Sequence, residues 1–399
     1  MKKRYGPEKL TSKSISNVTN LCEALDVSMI ELQEALELPP SERYVSKPVE
    51  KNDGSLRYVF KPHYLVRRIQ RRINNRIFKG SPKSIIAWPD HLFGSIPNFT
   101  DDSGEEIVKD YVHCAARHCG AKSLLKVDIQ NFFDNVHSDQ VSHIFKNFFH
   151  YPEDVCSVLT DLCTHEGHLV QGGLNSSYLA SLVLFDVEGL VAWRLEQKGL
   201  TYTRMVDDIT VSSKVHSHSY EYAFKIIEQM LVDKDLPVNT KKTIIQRMST
   251  SSLEVHGLRI TFDKPRLPAK EVGRIRAAVR RIELLAQEPN YRTSHAYRKD
   301  YNRCMGRVNK LSRVVHPQHK KLVRRLVKIR PLPSKKDLDR VDVMISRLEK
   351  DSATVKRTTY WYWKRFYRAQ ERINILKRTF RYQACEFRLR LKAIKPTYE

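Results

Sequence analysis

Three aspartates have the residue type and spacing for chemistry. Asp128 closes an apolar run, Lys126-Val-Asp-Ile-Gln-Asn-Phe-Phe133, and Asp207 and Asp208 stand together in Arg204-Met-Val-Asp-Asp-Ile-Thr210. The flanking apolar residues predict a strand ending at Asp128 and a hairpin with the Asp-Asp pair at its tip. Adjacent carboxylates at such a tip repel each other unless a cation neutralises them. A third carboxylate ending a neighbouring strand completes an oxygen-rich site for hard divalent metals. Two metals about 4 Å apart can activate a 3′-hydroxyl and stabilise a leaving pyrophosphate. The alternative reading of the Asp-Asp pair alone is a solvated acidic turn.

The elements that must position these carboxylates alternate in type. The patterning predicts a strand over 124–129, mostly helix over 138–166 and one long apolar helix over 178–197. Short strands at 202–205 and 209–213, an amphipathic helix over 219–233 and a strand over 255–262 follow. This order, β–α–α–β–β–α–β, reads as an α+β fold. Upstream, residues 8–38 read as helical up to Pro39-Pro40, and Lys51-Asn-Asp-Gly54 reads as a turn before the strand-like Leu56-Arg-Tyr-Val-Phe60. Residues 63–79 return to helical spacing, and 97–109 read as an exposed loop. From Pro268 onward the pattern predicts four or five helices. Ser334 and Asp337 form a capping pair, and a last helix runs over about 355–392 with an apolar line from Trp363 to Leu391.

Composition narrows the classes. The 399 residues carry a formal net charge of +25. Residues 264–399 hold 38 Lys+Arg against 12 Asp+Glu, whereas residues 1–263 hold 32 against 33. The basic excess therefore lies in the last third, and its expected partner is nucleic acid. The most apolar stretch, around 178–193, is interrupted by Asp186 and Glu188, so no membrane span is expected. No secretory signal is visible near the N-terminus. Seven cysteines without close pairs fit reduced thiols in the cytoplasm.

Several motifs stand in a definite order around the aspartates. Leu56-Arg-Tyr-Val-Phe-Lys-Pro62 precedes Cys114-Ala-Ala-Arg-His118, the Asp128 segment and Val170-Gln-Gly-Gly-Leu-Asn-Ser-Ser177; Met205-Val-Asp-Asp208, Leu236-Pro-Val-Asn-Thr-Lys-Lys-Thr243 and Val255-His-Gly-Leu258 follow. Together, over about residues 46–262, they resemble the reverse transcriptase family, in particular its bacterial retron-type branch. The resemblance implies a right-hand polymerase: a helical N-terminal extension at 1–50, fingers at 51–125, a palm at 126–262, and a long basic all-helical thumb and RNA-binding extension at 263–399.

Roles follow from the resemblance residue by residue. Asp128 and Asp207 should bridge two Mg2+ ions, with Mn2+ as a substitute; Asp208 assists, and Ile129 belongs to the same metal set. Gln171 and Gly172 should line the incoming nucleotide, with Ser176 a weaker member of that loop. Phe133 matches the aromatic gate that excludes a 2′-hydroxyl, its alternative being a core position. Arg57, and less surely Lys51, match the triphosphate grip. Lys242 matches the lysine that protonates pyrophosphate, with Lys241 a competitor. His118, Met205, Arg365, Arg368, Arg372 and Arg378 are the expected nucleic-acid contacts; His118 could instead be a structural histidine.

The departures from the family pattern spare the metal ligands. Met205 replaces the usual aromatic, Val170 replaces Pro, Cys114 replaces Asn of Asn-Ala-X-X-His, and His256 replaces Thr of Val-Thr-Gly. The expected function is RNA-directed DNA synthesis on a dedicated structured non-coding RNA, within bacterial antiviral defence. The expected partners are that RNA, the DNA product, dNTPs and a companion defence protein or second polymerase, with homo-oligomer formation left open. The competing readings are a template-independent or protein-primed DNA polymerase, an RNA-dependent RNA polymerase, and a non-catalytic RNA-binding scaffold.

Overall fold

The computed structural model describes residues 4–12, 14–50, 54, 56–79, 85–100 and 104–397, so Lys51 lies outside the described residues. The chain divides into two compact units, Met1–Arg266 and Leu267–Glu399.

The first unit is built on a five-stranded sheet. A separate antiparallel hairpin pairs β1 (Tyr44–Glu50) with β2 (Leu56–Pro62). The sheet itself takes β3 (Leu92–Phe93), β4 (Ser123–Asp128), β5 (Thr201–Met205), β6 (Asp208–Ser213) and β7 (Ile244–Arg247) in the order β7-β4-β6-β5-β3. All pairings are antiparallel except β3 with β5. Side chains alternate across a sheet with period two. Leu125, Val127, Ile209, Val211 and Tyr202 accordingly enter the main apolar core. Asp128 stands directly opposite Asp208, and Asp208 opposite Met205, so these three share the other face.

The helices of this unit that bear on the site are α1 (Val18–Leu25), α2 (Met29–Leu36), α3 (Tyr64–Ile73), α4 (Tyr111–Ala116), α5 (Ser176–Leu182), α6 (Glu188–Gln197) and α7 (Glu221–Val232), with further helices between α4 and α5 at Ser138–His143 and Glu153–Cys163. Two expectations are corrected. Residues 8–38 are not helical throughout: Glu8–Lys9 pairs as a strand with Ile86–Ala87, and the helical part is two helices, since Asp26 ends α1 in the left-handed conformation and Ser28 restarts the chain with a capping box to Glu31. The long helix over 178–197 is broken between Leu182 and Glu188. The break places the Glu188 carboxylate on the buried Arg204. Residues 178–185 are apolar apart from Ser181, and no Gly or Pro between Tyr178 and Glu188 marks the break.

The second unit is helical. Among the described residues its α-helices are α8 (Ala269–Leu285), α9 (His295–Arg313), α10 (Gln318–Lys328), α11 (Lys335–Ser352), α12 (Tyr360–Leu376) and α13 (Arg381–Ala393). Ser334 and Asp337 do form the capping box. The expected helix over 355–392 is instead a helical hairpin, because folding back lets Phe387 and Leu391 bury against the same cluster as Phe366 and Ile373. Tyr362, rather than Trp363, enters that core, and Trp361 is left about half exposed.

Candidate active site

The carboxylates meet where β4 ends beside the β5–β6 turn. Val206 and Asp207 form that turn, and Val206 has φ 60°. A β-branched residue there is strained, so the surroundings must hold the turn in place. Three contacts do so. The Ile129 N–H donates to the Asp207 carbonyl at 3.1 Å. Arg204 Nη1 donates to the Val206 carbonyl at 3.1 Å. Gly94 closes against the turn so tightly that a Cβ there would lie 3.1 Å from Val206 Cγ2.

Asp128 is fastened from the loop after α7. The Asn239 N–H donates to its carbonyl and Asn239 Nδ2 to Oδ1, both at 2.8 Å, while Lys242 Nζ sits 3.0 Å from Oδ2. The hydrogen bond to Asp128 raises the Lys242 ammonium above its ordinary value. Burial, then Asp208 and Asp128, push Asp207 up to about 6. Burial, then Asp128, push Asp208 up as well. Carboxylates raised by one another form a hard-oxygen set short of positive charge, which is the donor chemistry a divalent cation fits. Among the described residues no three such side chains converge on one point, and both Asp128 oxygens are engaged by Asn239 and Lys242.

The Gln171–Gly172 segment docks on β2, where the Phe60 N–H donates to the Gln171 carbonyl at 2.7 Å. Gly172, at φ +112°, is obligatory: a Cβ there would lie 2.1 Å from the Phe60 carbonyl oxygen. Arg57 is exposed three residues earlier on β2. Phe133 is half-buried against the core, its ring 6.1 Å from that of buried Phe132. Ser176 is a correction. It is buried at the start of α5, its Oγ packed against Gly173 rather than exposed in the loop.

His118 is a second correction. It is buried, with Nε2 2.7 Å from Thr203 Oγ1 and Nδ1 2.7 Å from Ser212 Oγ. Burial, then His256, lower it to about 3, so it is neutral and cannot reach RNA. His256 is lowered to about 4 by burial. Its Nδ1 lies 3.7 Å from Asp208 Oδ2, a contact of a neutral ring rather than an ion pair at neutral pH.

Comparison with known proteins agrees with this geometry. The profile of the family described as "Reverse transcriptase (RNA-dependent DNA polymerase)" matches residues 49–265. The chain belongs to the reverse transcriptase family. The retron Ec48 reverse transcriptase of Escherichia coli is 43% identical over 98% of this chain and 96% of its own length. The retron Se72 reverse transcriptase of Salmonella heidelberg is 32% identical over 69% of each chain. This reverse transcriptase is thus of the retron type, an RNA-directed DNA polymerase with the right-hand fold expected from its motifs.

The reverse transcriptase's expected C-terminal contacts differ among themselves. Arg368 is exposed on α12 and Arg372 half-buried. Arg365 pairs with Asp351 at 3.1 Å. Arg378 is exposed, and its Nη1 donates to the Pro331 carbonyl at 2.6 Å. Sequence reasoning missed Glu188 and Asn239 as supports of the site. The signal for Glu188 is a carboxylate inside an apolar run.

Proposed function

We propose that this reverse transcriptase makes DNA on a dedicated structured non-coding RNA, with two Mg2+ ions held by Asp128 and Asp207 and assisted by Asp208. The observation that carries the reading is the register that sets Asp128 opposite Asp208, with Asp207 in the adjoining turn. Bound there, the ions would activate the primer hydroxyl and neutralise the leaving pyrophosphate. The chain's own residues do the rest. Gln171 and Gly172 flank the incoming nucleotide, Phe133 blocks a 2′-hydroxyl, and Arg57 grips the triphosphate. Lys242 releases Asp128 and donates its proton to the pyrophosphate. Residues 51–125 serve as fingers, 126–262 as palm, and the basic unit from 263 onward as thumb and RNA-binding surface. No described helix is long and apolar enough to cross a membrane. The reading includes an antiviral role in the cytoplasm, as expected from the retron-type motifs.

Sequencing the nucleic acids that copurify with the chain tests this reading. One defined RNA with DNA complementary to part of it is the expected result. DNA unrelated to any bound RNA contradicts it.

A further inference from the structure

Arg204 and Glu188 form a buried pair on the face of the sheet opposite Asp128 and Asp208. Arg204 has no exposed surface and Glu188 almost none. Arg204 Nε donates to Glu188 Oε1 and Nη2 to Oε2, both at 2.7 Å. The Tyr202 hydroxyl donates to the same Oε1 at 2.8 Å. The guanidinium then reaches three backbone carbonyls: Ser181 from Nη2 at 2.9 Å, and Ala180 and Val206 from Nη1 at 3.3 and 3.1 Å. Ala180 and Ser181 belong to α5, the helix that follows the Gln171–Gly172 loop. Val206 is the strained residue beside Asp207.

A buried ion pair is a poor source of net stability, because two desolvation penalties offset the attraction. Its value here lies in where the remaining donors go. A planar fork with a fixed geometry links the nucleotide-loop helix to the carboxylate turn, which a lysine cannot do. From this arrangement we infer that Arg204, oriented by Glu188, is a positioning residue that holds the Asp207–Asp208 turn in its metal-binding shape and in register with the nucleotide loop. The inference rests on the two-metal reading above.

The test uses the full chain. Mn2+ is titrated into metal-free protein and followed by electron paramagnetic resonance, alongside thermal melting and steady-state kinetics on a generic primer–template. Arg204→Lys keeps the charge opposite Glu188 but loses the fork. In the folded protein it should weaken Mn2+ binding and lower kcat by about 10- to 100-fold, with the dNTP KM within about threefold of wild type. If Arg204→Lys fails to fold, Arg204→Gln with Glu188→Gln replaces it, since that pair leaves no uncompensated charge; the same losses are expected. A variant that melts lower yet binds Mn2+ and turns over like wild type overturns the inference alone. A wild-type chain that binds no Mn2+ overturns the two-metal reading and the inference with it.

Discussion

Cys114 Sγ lies 3.3 Å from His256 Nε2. The position where the chain departs from Asn-Ala-X-X-His therefore touches the position where it departs from Val-Thr-Gly. Cys114 also donates to Thr203 Oγ1 at 3.4 Å, and Thr203 in turn meets His118. The two unusual residues thus complete one buried polar chain behind Asp208. Partly satisfied buried polar groups are costly, so each residue is suited to the other.

A double-mutant cycle checks this pairing. Cys114→Ala, His256→Thr and the double variant should show a coupling of about 0.5–3 kcal/mol in denaturant melts. Additivity to within about 0.3 kcal/mol would mean the two departures are independent.

Asp207 gives a pH prediction for the metal-free chain. Its folded value of about 6 stands above the ordinary 3.8. The folded state therefore binds this proton more tightly than the unfolded state does. Its contribution favours folding below 3.8 and is lost as pH rises through about 6. Melting temperatures of wild type minus Asp207→Asn should fall across that window. Saturating Mg2+ should recover the difference at neutral pH. A flat difference without metal contradicts the electrostatic account of the turn.

Phe133 is expected to be the sugar gate. Phe133→Val should reduce discrimination between dNTPs and NTPs by about 10- to 200-fold while metal dependence is kept. Parallel incorporation assays decide the point; unchanged discrimination would make Phe133 a core residue and move the gate elsewhere.

The C-terminal arginines make a salt-dependent prediction. Charge reversal at Arg368 and Arg372, leaving Arg378 on its Pro331 carbonyl, should weaken RNA binding. The slope of log affinity against log salt should become shallower by about 0.7–0.9 for each phosphate that the variant no longer neutralises. Unchanged affinity and slope would remove α12 from the RNA surface.

Much of the site was legible because chemistry leaves compact motifs. Asp128, Asp207 and Asp208 each sit at the end of a short apolar run, and strand register brings Asp128 and Asp208 face to face. Supports were harder to see. Glu188 and Arg204 are 16 residues apart in sequence, and only a helix break inside an apolar run brings them together. His118 and Ser176 kept their motif positions, but burial decided their orientation, and no linear pattern reports which side of a turn a side chain takes. The hairpin of α12 and α13 escaped notice for a related reason. Its apolar line keeps helical spacing straight through the bend at residues 377–380, which contains neither Gly nor Pro.

The most direct measurement is primer extension on an RNA template with dNTPs and Mg2+, comparing wild type with Asp207→Asn. Removing one carboxylate relieves repulsion in the turn, so the variant should melt no lower than wild type at neutral pH in the absence of metal. It should nonetheless give no detectable DNA while wild type extends the primer in a Mg2+-dependent way. Extension by folded Asp207→Asn at near the wild-type rate would contradict the assignment of this turn as the metal site.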